Sequence, residues 1–415
     1  METAKENLKF KPSNTAMLVT HGLNEVVSIF VGTFLISYIY SLSSNYMLDI
    51  GLFYFIQYLS MFVFYTLISK IIDRTDRVTF YRISLFVKGV FILCVVFVGK
   101  DLAKIVPLAA GLYGFAEACY WSSYNLMKNE LVTRHAMERF SLYQFIDTRS
   151  IKIIIPLVLG KIIDGESFKL CAIIVLISVF VQIAFSFLIK SKRPENSSFA
   201  FKEFILKTKA LPEQKAKLVW FLLVIGLFYG FGCIVSPLST ILIMISFESN
   251  FSLGLLSSIF AVFSMILLLV CKKWTKLGKR SLIYYIMSAL PLIALVLLLI
   301  EVNKTTVIVY SLIYTIAVIL YEFGFDVTRN LLLKKLNMYD GIAEFQCALE
   351  GALQIGRIII FAVMIVFGLI SSSFSSEALG LSVKIFCAIS ILIVSVLNIM
   401  LLHYERGFKK QLLDD

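Results

Sequence analysis

The sequence predicts an all-α polytopic membrane protein with twelve transmembrane helices in two pseudo-symmetric six-helix bundles. Hydrophobic residues make up 59% of the chain and charged residues 16%, whereas a soluble domain has about half apolar and about a quarter charged residues. The second observation is an internal repeat at an offset of 201 residues. Its two copies are Tyr120, Asn125, Lys128 and Asn129, and Tyr321, Asp326, Arg329 and Asn330.

Twelve apolar stretches form the predicted spans, and most reach the roughly 20 residues that a bilayer requires. Each must be helical, because lipid cannot satisfy exposed backbone groups. In chain order the spans are 15–40, 48–70, 80–99, 103–127, 142–162, 168–190, 217–245, 250–271, 281–301, 305–328, 343–370 and 379–403. Within the seventh span, Pro237 predicts a kink, and Gly226 and Gly230 favour close helix packing.

Lysine and arginine concentrate in alternate loops and at both chain ends, which places both termini in the cytoplasm. The polar segment 191–216 lies on the same side and divides the chain into an N-terminal bundle, 1–190, and a C-terminal bundle, 217–415. The net charge of +12 therefore reflects membrane orientation rather than nucleic-acid binding. We expect a multi-pass, monomeric protein of the cytoplasmic membrane, without a cleaved signal peptide.

No sequence motif indicates an enzyme. The chain has no H-E-x-x-H, P-loop or G-x-S-x-G pattern. Its seven cysteines form no C-x-x-C pair and lie in or at the ends of predicted spans, so we expect neither disulfides nor a metal site. We expect no cofactor and no ATP-driven step.

Charged residues inside the spans are the clearest functional signal, because each costs about 2.5–3.5 kcal/mol at a helix centre on insertion scales. Several of them should therefore pair. The acids are Glu25, Glu117, Asp147, Glu322, Asp326 and Glu350, and the bases are Lys88, Arg149, Lys152, Arg329 and Arg357. Three interpretations of Lys88 stay open: snorkelling to the membrane surface, helix packing, and a functional role.

Helical spacing groups several of these residues on common faces. Glu117 shares a face with three aromatic residues that suit a lipophilic or cationic substrate. The predicted groups are Glu117 with Tyr120, Trp121 and Tyr124; His21 with Glu25; Arg149 with Lys152, and Asp147 nearby; Glu322 with Asp326 and Arg329; and Glu350 with Gln354 and Arg357. We expect substrate contacts from these groups, and ordinary packing or fixed ion pairs are the alternatives.

The loop Ser69–Arg77 resembles the signature loop of the major facilitator superfamily, in which Gly and three residues precede Asp-Arg-x-Gly-Arg. Asp73, Arg74 and Arg77 match the pattern, whereas Ser69 and Asp76 replace its glycines. The corresponding second-half loop, Cys271–Arg280, keeps the basic positions but has Thr275 in place of the acid. A plain turn with positive residues on the cytoplasmic side is the alternative.

The resemblance implies two bundles that rock around a central cavity lined by the first, fourth and tenth spans. It also implies that Asp73 meets a helix N-terminus in the other half, while Arg74 and Arg77 bind cytoplasmic carboxylates or carbonyls. We add Arg329 to this gating group. The segment Glu117–Asn125 is similar to a Glu-x-x-Tyr-Trp-x-x-x-Asn segment in poorly characterised bacterial members of the superfamily.

These features predict a proton-coupled secondary transporter that exports a small amphipathic organic compound as an antiporter. Glu117 is the first candidate for proton coupling and Glu25 the second, followed by Glu322 and Asp326. If Glu117 is permanently paired, the role passes to Glu25. The alternatives are uptake of a small polar or peptide-like solute, lipid translocation, and a non-transporting receptor on the same fold.

The topology can be tested at the central polar segment. We expect the single cysteine of an Ala200→Cys variant, in a background without reactive native cysteines, to resist a membrane-impermeant thiol reagent in intact cells. Permeabilised cells supply the positive control. Ready labelling of intact cells would reverse the predicted orientation.

Overall fold

The computed structural model describes most of the chain as helix. Asp73 and Arg74 of the signature loop lie outside the described residues, as do Glu322, Asp326 and Arg329 of the tenth span. The described ranges are 12–72, 75–132, 134–190, 212–276, 280–316, 342–371 and 376–413.

Helices occupy the positions of the predicted spans, and the tenth is described only over Lys304–Ile316. The first span comprises α1 and α2, which are joined by a π-helical turn, Phe30–Leu35. The helices are α1 Pro12–Ile29, α2 Ile36–Leu42, α3 Tyr46–Ile71, α4 Arg77–Val98, α5 Leu102–Leu131, α6 Arg134–Gly165, α7 Phe168–Ser186, α8 Pro212–Cys233, α9 Val235–Phe247, α10 Asn250–Lys276, α11 Arg280–Ile300, α12 Ile342–Ser371 and α13 Ser376–Leu413.

Eight stretches of the described residues are long and apolar enough to cross a membrane, and one of them, Arg77–Lys128, covers both α4 and α5. The α6 helix is not among the eight, since Asp147, Arg149 and Lys152 lie in the middle of its apolar part. The chain is therefore a multi-pass helical membrane protein. The count of twelve spans stays a prediction.

The seventh span is interrupted where the sequence predicts. The α8 helix ends at Cys233 and α9 begins at Val235, which places Pro237 in the first turn of α9. A proline is tolerated there because the first turn of a helix lacks acceptors for its backbone N–H groups. The predicted close packing is also confirmed: a Cβ atom on Gly226 or Gly230 would collide with the α12 backbone at Ala352 or Gly356.

The chain divides into two compact units, each built from discontinuous segments. Unit 1 comprises Met1–Ser43, Ile56–Phe199 and Ser249–Ser258. Unit 2 comprises Ser44–Phe55, Ala200–Glu248 and Ile259–Asp415. In unit 1, α4 packs along α5, and α1 packs against α6 and α7. The core between these helices includes Met17, Tyr81, Leu85, Tyr120 and Phe140.

Within unit 1, the C-terminal end of α6 caps the first turn of α10. The Asp164 carboxylate accepts hydrogen bonds from the backbone N–H groups of Asn250 and Phe251, at 3.1 and 2.8 Å, and from the Ser249 hydroxyl at 2.7 Å. Gly160 allows the two backbones to approach, because a Cβ atom there would collide with the Asn250 carbonyl. A negative charge at a helix N-terminus is also favoured by the helix dipole.

The hydrogen bonds at this junction hold Asp164 in its charged form. Partial burial acts to raise the Asp164 pKa, but the hydrogen bonds from Phe251, Ser249 and Asn250 outweigh it and lower the pKa below its ordinary value of 3.8. A lowered carboxylate pKa stabilises the folded state above the ordinary pKa, and this contribution is lost as the pH falls through the lowered value.

We expect Asp164→Ala to reduce the free energy of unfolding by about 0.5–2 kcal/mol at neutral pH, the usual cost of losing a helix cap. The loss should be constant from neutral pH down to about pH 5 and should shrink as Asp164 becomes protonated in the native protein. Thermal unfolding of the purified protein measures it.

The matched control is Asp101→Ala, which removes an exposed carboxylate paired with Lys104 at 2.7 Å. An exposed pair of this kind contributes little to stability. Equal effects of the two substitutions, or a deficit in Asp164→Ala that grows towards acidic pH, would contradict the capping role.

Candidate functional site

Four helices of unit 1 bring a set of polar side chains together inside the predicted membrane-spanning region. We call this set the polar cluster. It contains most of the N-terminal candidates and also Asn24, Lys88, Lys128 and Gln144. Its members are His21, Asn24 and Glu25 on α1; Lys88 on α4; Glu117, Tyr120, Trp121, Tyr124 and Lys128 on α5; and Gln144, Asp147 and Lys152 on α6.

The centre of the polar cluster is a buried ion pair between Lys88 and Glu117. The Lys88 Nζ atom lies 2.6 Å from Glu117 Oε1, and the two side chains are 0% and 10% exposed. Lys88 Nζ also donates to the Asn24 side-chain oxygen and lies 4.3 Å from the centroid of the Tyr120 ring. The snorkelling interpretation of Lys88 is therefore wrong, because its ammonium group has found partners inside the unit.

The second oxygen of Glu117 accepts a 2.9 Å hydrogen bond from Trp121 Nε1. The i, i+4 spacing that the sequence shows thus becomes a direct contact along α5. Together with Lys88, this indole fixes the Glu117 carboxylate from two sides. A buried pair held by additional hydrogen bonds is a stable arrangement, whereas removal of one partner leaves an uncompensated charge.

His21 lies among the three aromatic side chains of α5. Its ring stacks on Tyr124 with centroids 4.7 Å apart, and Trp121 contacts it edge-on at 6.2 Å. The Nδ1 atom is 2.8 Å from the Tyr120 hydroxyl, and Nε2 is 3.0 Å from the Gln144 side-chain nitrogen. The predicted faces of α1 and α5 therefore meet in the structure.

Glu25 and Lys152 form a second, looser ion pair at the edge of the cluster. Their charged atoms are 3.5 Å apart, and the side chains are 12% and 42% exposed. This separation exceeds the roughly 2.7–2.9 Å of a strong charge-assisted hydrogen bond. The Lys152 side chain is only partly covered by protein, so this pair is less enclosed than the Lys88–Glu117 pair.

The other charged candidates on α6 have different surroundings. Asp147 lies against Gly22 of α1, where a Cβ atom would collide with its carboxylate. The Arg149 guanidinium lies 5.3 Å from the centroid of the Phe145 ring on its own helix. Asp147 thus joins the polar cluster, and Arg149 contacts an aromatic neighbour beside it.

In unit 2, the predicted polar stripe on α12 is present. Gln354 lies between the two charged residues: its amide nitrogen is 3.5 Å from a Glu350 oxygen, and its amide oxygen is 3.4 Å from an Arg357 nitrogen. Of the signature loop, Arg77 forms an ion pair with Glu130 at the C-terminal end of α5. Asp76 caps α4 by accepting a 3.1 Å hydrogen bond from the Val78 backbone N–H.

Little in the sequence singles out Gln144, a neutral side chain close to the charged residues Asp147, Arg149 and Lys152. Asn24 was equally inconspicuous beside Glu25. A polar side chain within an apolar span was the available signal for both residues. The pairing of Lys88 with Glu117 was missed for a different reason, since the partners lie on different helices.

Buried charged groups within long apolar helices are typical of membrane transport proteins. A family model described as Major Facilitator Superfamily matches residues 17–335. The chain therefore belongs to the major facilitator superfamily and is a transporter rather than an enzyme. No curated protein matches the sequence.

Solved transporters share the fold at low sequence identity. A POT family transporter in complex with 5-aminolevulinic acid is 11% identical, with a TM-score of 0.68 over 95% of this chain and 96% of its own. The nucleoside transporter NupG is 14% identical, with a TM-score of 0.66 over 95% of this chain and 98% of its own. At these sequence identities the two comparisons show a shared fold.

The buried ion pair predicts a specific pattern of stabilities. Glu117→Gln should lower the free energy of unfolding by about 3–5 kcal/mol, because it leaves the Lys88 ammonium buried without a counter-charge. The double variant Lys88→Met/Glu117→Gln should lose clearly less, because no charge remains buried. Thermal unfolding of the purified variants measures both.

An exposed lysine supplies the control, since Lys104→Met removes a pair with Asp101 whose side chains are 77% and 67% exposed. The unfolding temperature of this variant should be close to that of the native protein. The single variants Lys88→Met and Glu117→Gln complete the comparison. If the double variant loses as much free energy of unfolding as the two single variants together, Lys88 and Glu117 do not interact.

Proposed function

We propose that this transporter is a proton-coupled secondary carrier of a small amphipathic organic compound, with export as its direction and Glu25 as the proton-exchanging group. One observation carries the assignment to Glu25. Glu117 is fixed by Lys88 and Trp121, whereas Glu25 belongs to a long, partly exposed pair with Lys152. The pairing of Glu117 supports the proposal that Glu25 exchanges the proton.

The energetic argument concerns the partner that remains after protonation. A proton on Glu117 would leave the Lys88 ammonium charged and without solvent, since Lys88 is 0% exposed. A proton on Glu25 leaves Lys152 charged, but the Lys152 side chain is 42% exposed and is not enclosed by the unit. We propose that this exposed side faces the water of the transport cavity, so that protonation of Glu25 is the less costly event. Glu322 and Asp326 remain further proposed coupling residues of the second half.

Substrate contacts are proposed for the partly exposed edge of the polar cluster. Glu25 and Lys152 offer both charges there, and Trp121 adds a partly exposed aromatic surface. His21, Tyr120 and Tyr124 are buried behind this edge and support it. A compound with an apolar body and a charged group would use the aromatic surface and one member of the ion pair.

Uptake of a small polar solute is the second candidate. It is supported by the opposite charges of Glu25 and Lys152, because a solute that carries an ammonium and a carboxylate group would satisfy both. The direction of net transport in response to an imposed pH difference distinguishes uptake from export.

The proposed coupling role predicts the behaviour of Glu25→Gln in liposomes. A ligand is first selected by its ability to raise the thermal stability of the native protein. With this ligand, Glu25→Gln should lose movement against a gradient driven by a pH difference, because glutamine cannot exchange a proton. Exchange of the ligand across the membrane should persist.

Glu301→Gln is the matched control, since it makes the same chemical change at an exposed position. It should transport like the native protein. If Glu25→Gln still moves the ligand against its gradient in response to an imposed pH difference, the assignment of coupling to Glu25 is wrong.

A further inference from the structure

The polar cluster contains a chain of hydrogen bonds that begins at Lys128. The Lys128 ammonium can only donate, and this determines which atoms donate and which accept along the chain. The chain runs from Lys128 through Gln144 to His21 and then to Tyr120. Lys128 Nζ lies 2.9 Å from the Gln144 Oε1 atom. Gln144 Nε2 lies 3.0 Å from His21 Nε2, and His21 Nδ1 lies 2.8 Å from the Tyr120 hydroxyl.

Lys128 fixes the orientation of the Gln144 amide. An ammonium group has three donors and no acceptor, so the amide must present its oxygen to it. The amide nitrogen then faces His21 and donates. Because His21 Nε2 receives this hydrogen bond, that atom must carry a lone pair rather than a proton. The ring is consequently neutral, with its proton on Nδ1.

The hydrogen bond between His21 Nδ1 and the Tyr120 hydroxyl does not determine the tautomer of His21. A tyrosine hydroxyl can donate or accept, so it is compatible with either state of Nδ1. The selection of the tautomer therefore comes from Gln144 and, through it, from Lys128. Lys128 acts on His21 without being its hydrogen-bond partner, because Gln144 lies between them.

We propose that Gln144 is a positioning residue of the coupling site that links the protonation of His21 to the contact between Lys128 and α6. A proton on His21 Nε2 would face the donors of the Gln144 amide, and the amide must then turn to offer its oxygen. That turn places the amide nitrogen against the Lys128 ammonium and breaks their hydrogen bond. The consequence for transport rests on the proposed function, whereas the link itself does not.

Charged groups on all the neighbouring helices set the conditions for this proton. Protonated His21 would have cationic neighbours on three helices and an acid one turn along its own helix. The groups that act on His21 are Glu25 on α1, Lys88 on α4, Lys128 on α5 and Lys152 on α6. The polar cluster adds Glu117, Tyr120 and Tyr124 on α5 and Asp147 on α6. A change in the Glu25–Lys152 pair therefore alters the electrostatic potential at His21. This effect connects the chain from Lys128 through Gln144 to His21, which we call the relay, to the proposed coupling carboxylate.

The relay is tested by the ring nitrogens of His21 in purified protein, without any transport assay. The chain has three histidines, His21, His135 and His403. Replacement of His135 and His403 by glutamine leaves one ring, whose protonated and unprotonated nitrogens are distinguished by NMR of isotope-labelled histidine. At neutral pH the parent protein should show the tautomer with the proton on Nδ1.

Lys128→Met should lose this single tautomer and show a mixture, because the Gln144 amide is then free to turn. Lys128→Arg restores a donor and should restore the tautomer. Gln144→Glu should place a proton on Nε2, since a carboxylate accepts from both Lys128 and His21. Lys161→Met is the matched control, because it removes an exposed lysine nearer the C-terminal end of α6 and should keep the Nδ1 proton.

Three outcomes overturn the relay. They are an unchanged tautomer in Lys128→Met, an equally large change in Lys161→Met, and an unprotonated Nε2 in Gln144→Glu. Each would show that Gln144 does not transmit the state of Lys128 to His21. The proposed coupling role of Glu25 is tested separately by flux, so either proposal can fail without the other.

Discussion

The ammonium group of Lys88 is completely buried in unit 1, and its contact with Glu117 is the interaction on which the other polar groups of that unit depend. The pair joins α4 to α5, and the Asn24 side chain extends the contact to α1. Trp121 completes the coordination of Glu117. Because Lys88 and Trp121 already hold the Glu117 carboxylate, we propose that proton exchange occurs at a different carboxylate of the same cluster.

Burial determines the rest of the arrangement. Inside a low-dielectric region an unpaired polar group is costly, and chains of hydrogen bonds between side chains reduce this cost. The Lys128–Gln144–His21–Tyr120 chain in unit 1 is one example, and the Glu350–Gln354–Arg357 stripe in unit 2 is another. In both, a glutamine amide connects groups because it can donate and accept at the same time. The looser Glu25–Lys152 pair is less enclosed by protein than the Lys88–Glu117 pair.

Features set by spacing along one helix could be predicted from the sequence. The break near Pro237, the close packing at Gly226 and Gly230, and the shared face of Glu117 and Trp121 are examples. Contacts between helices could not be predicted in this way, because periodicity shows which residues share a face but not which helix covers that face. Lys88 is the clearest case: its position within a span was evident, but its partner on α5 was not.

The signature loop was informative at the level of the family, since the chain belongs to the major facilitator superfamily. Its detailed role was less accessible from the sequence. Asp76, which replaces a glycine of the pattern, caps α4, and Arg77 pairs with Glu130. Asp73 of the predicted gating group and the proposed coupling residues Glu322 and Asp326 lie outside the described ranges.

The central claim is that Glu117 supports the structure while the coupled proton binds elsewhere. The most direct test is pH-driven flux of a selected ligand by the Lys88→Met/Glu117→Gln double variant in liposomes. The variant contains no titratable group at position 117 and no unpaired lysine at position 88. We expect it to retain flux against a gradient. Loss of driven flux with ligand exchange intact would instead identify Glu117 as the coupling carboxylate.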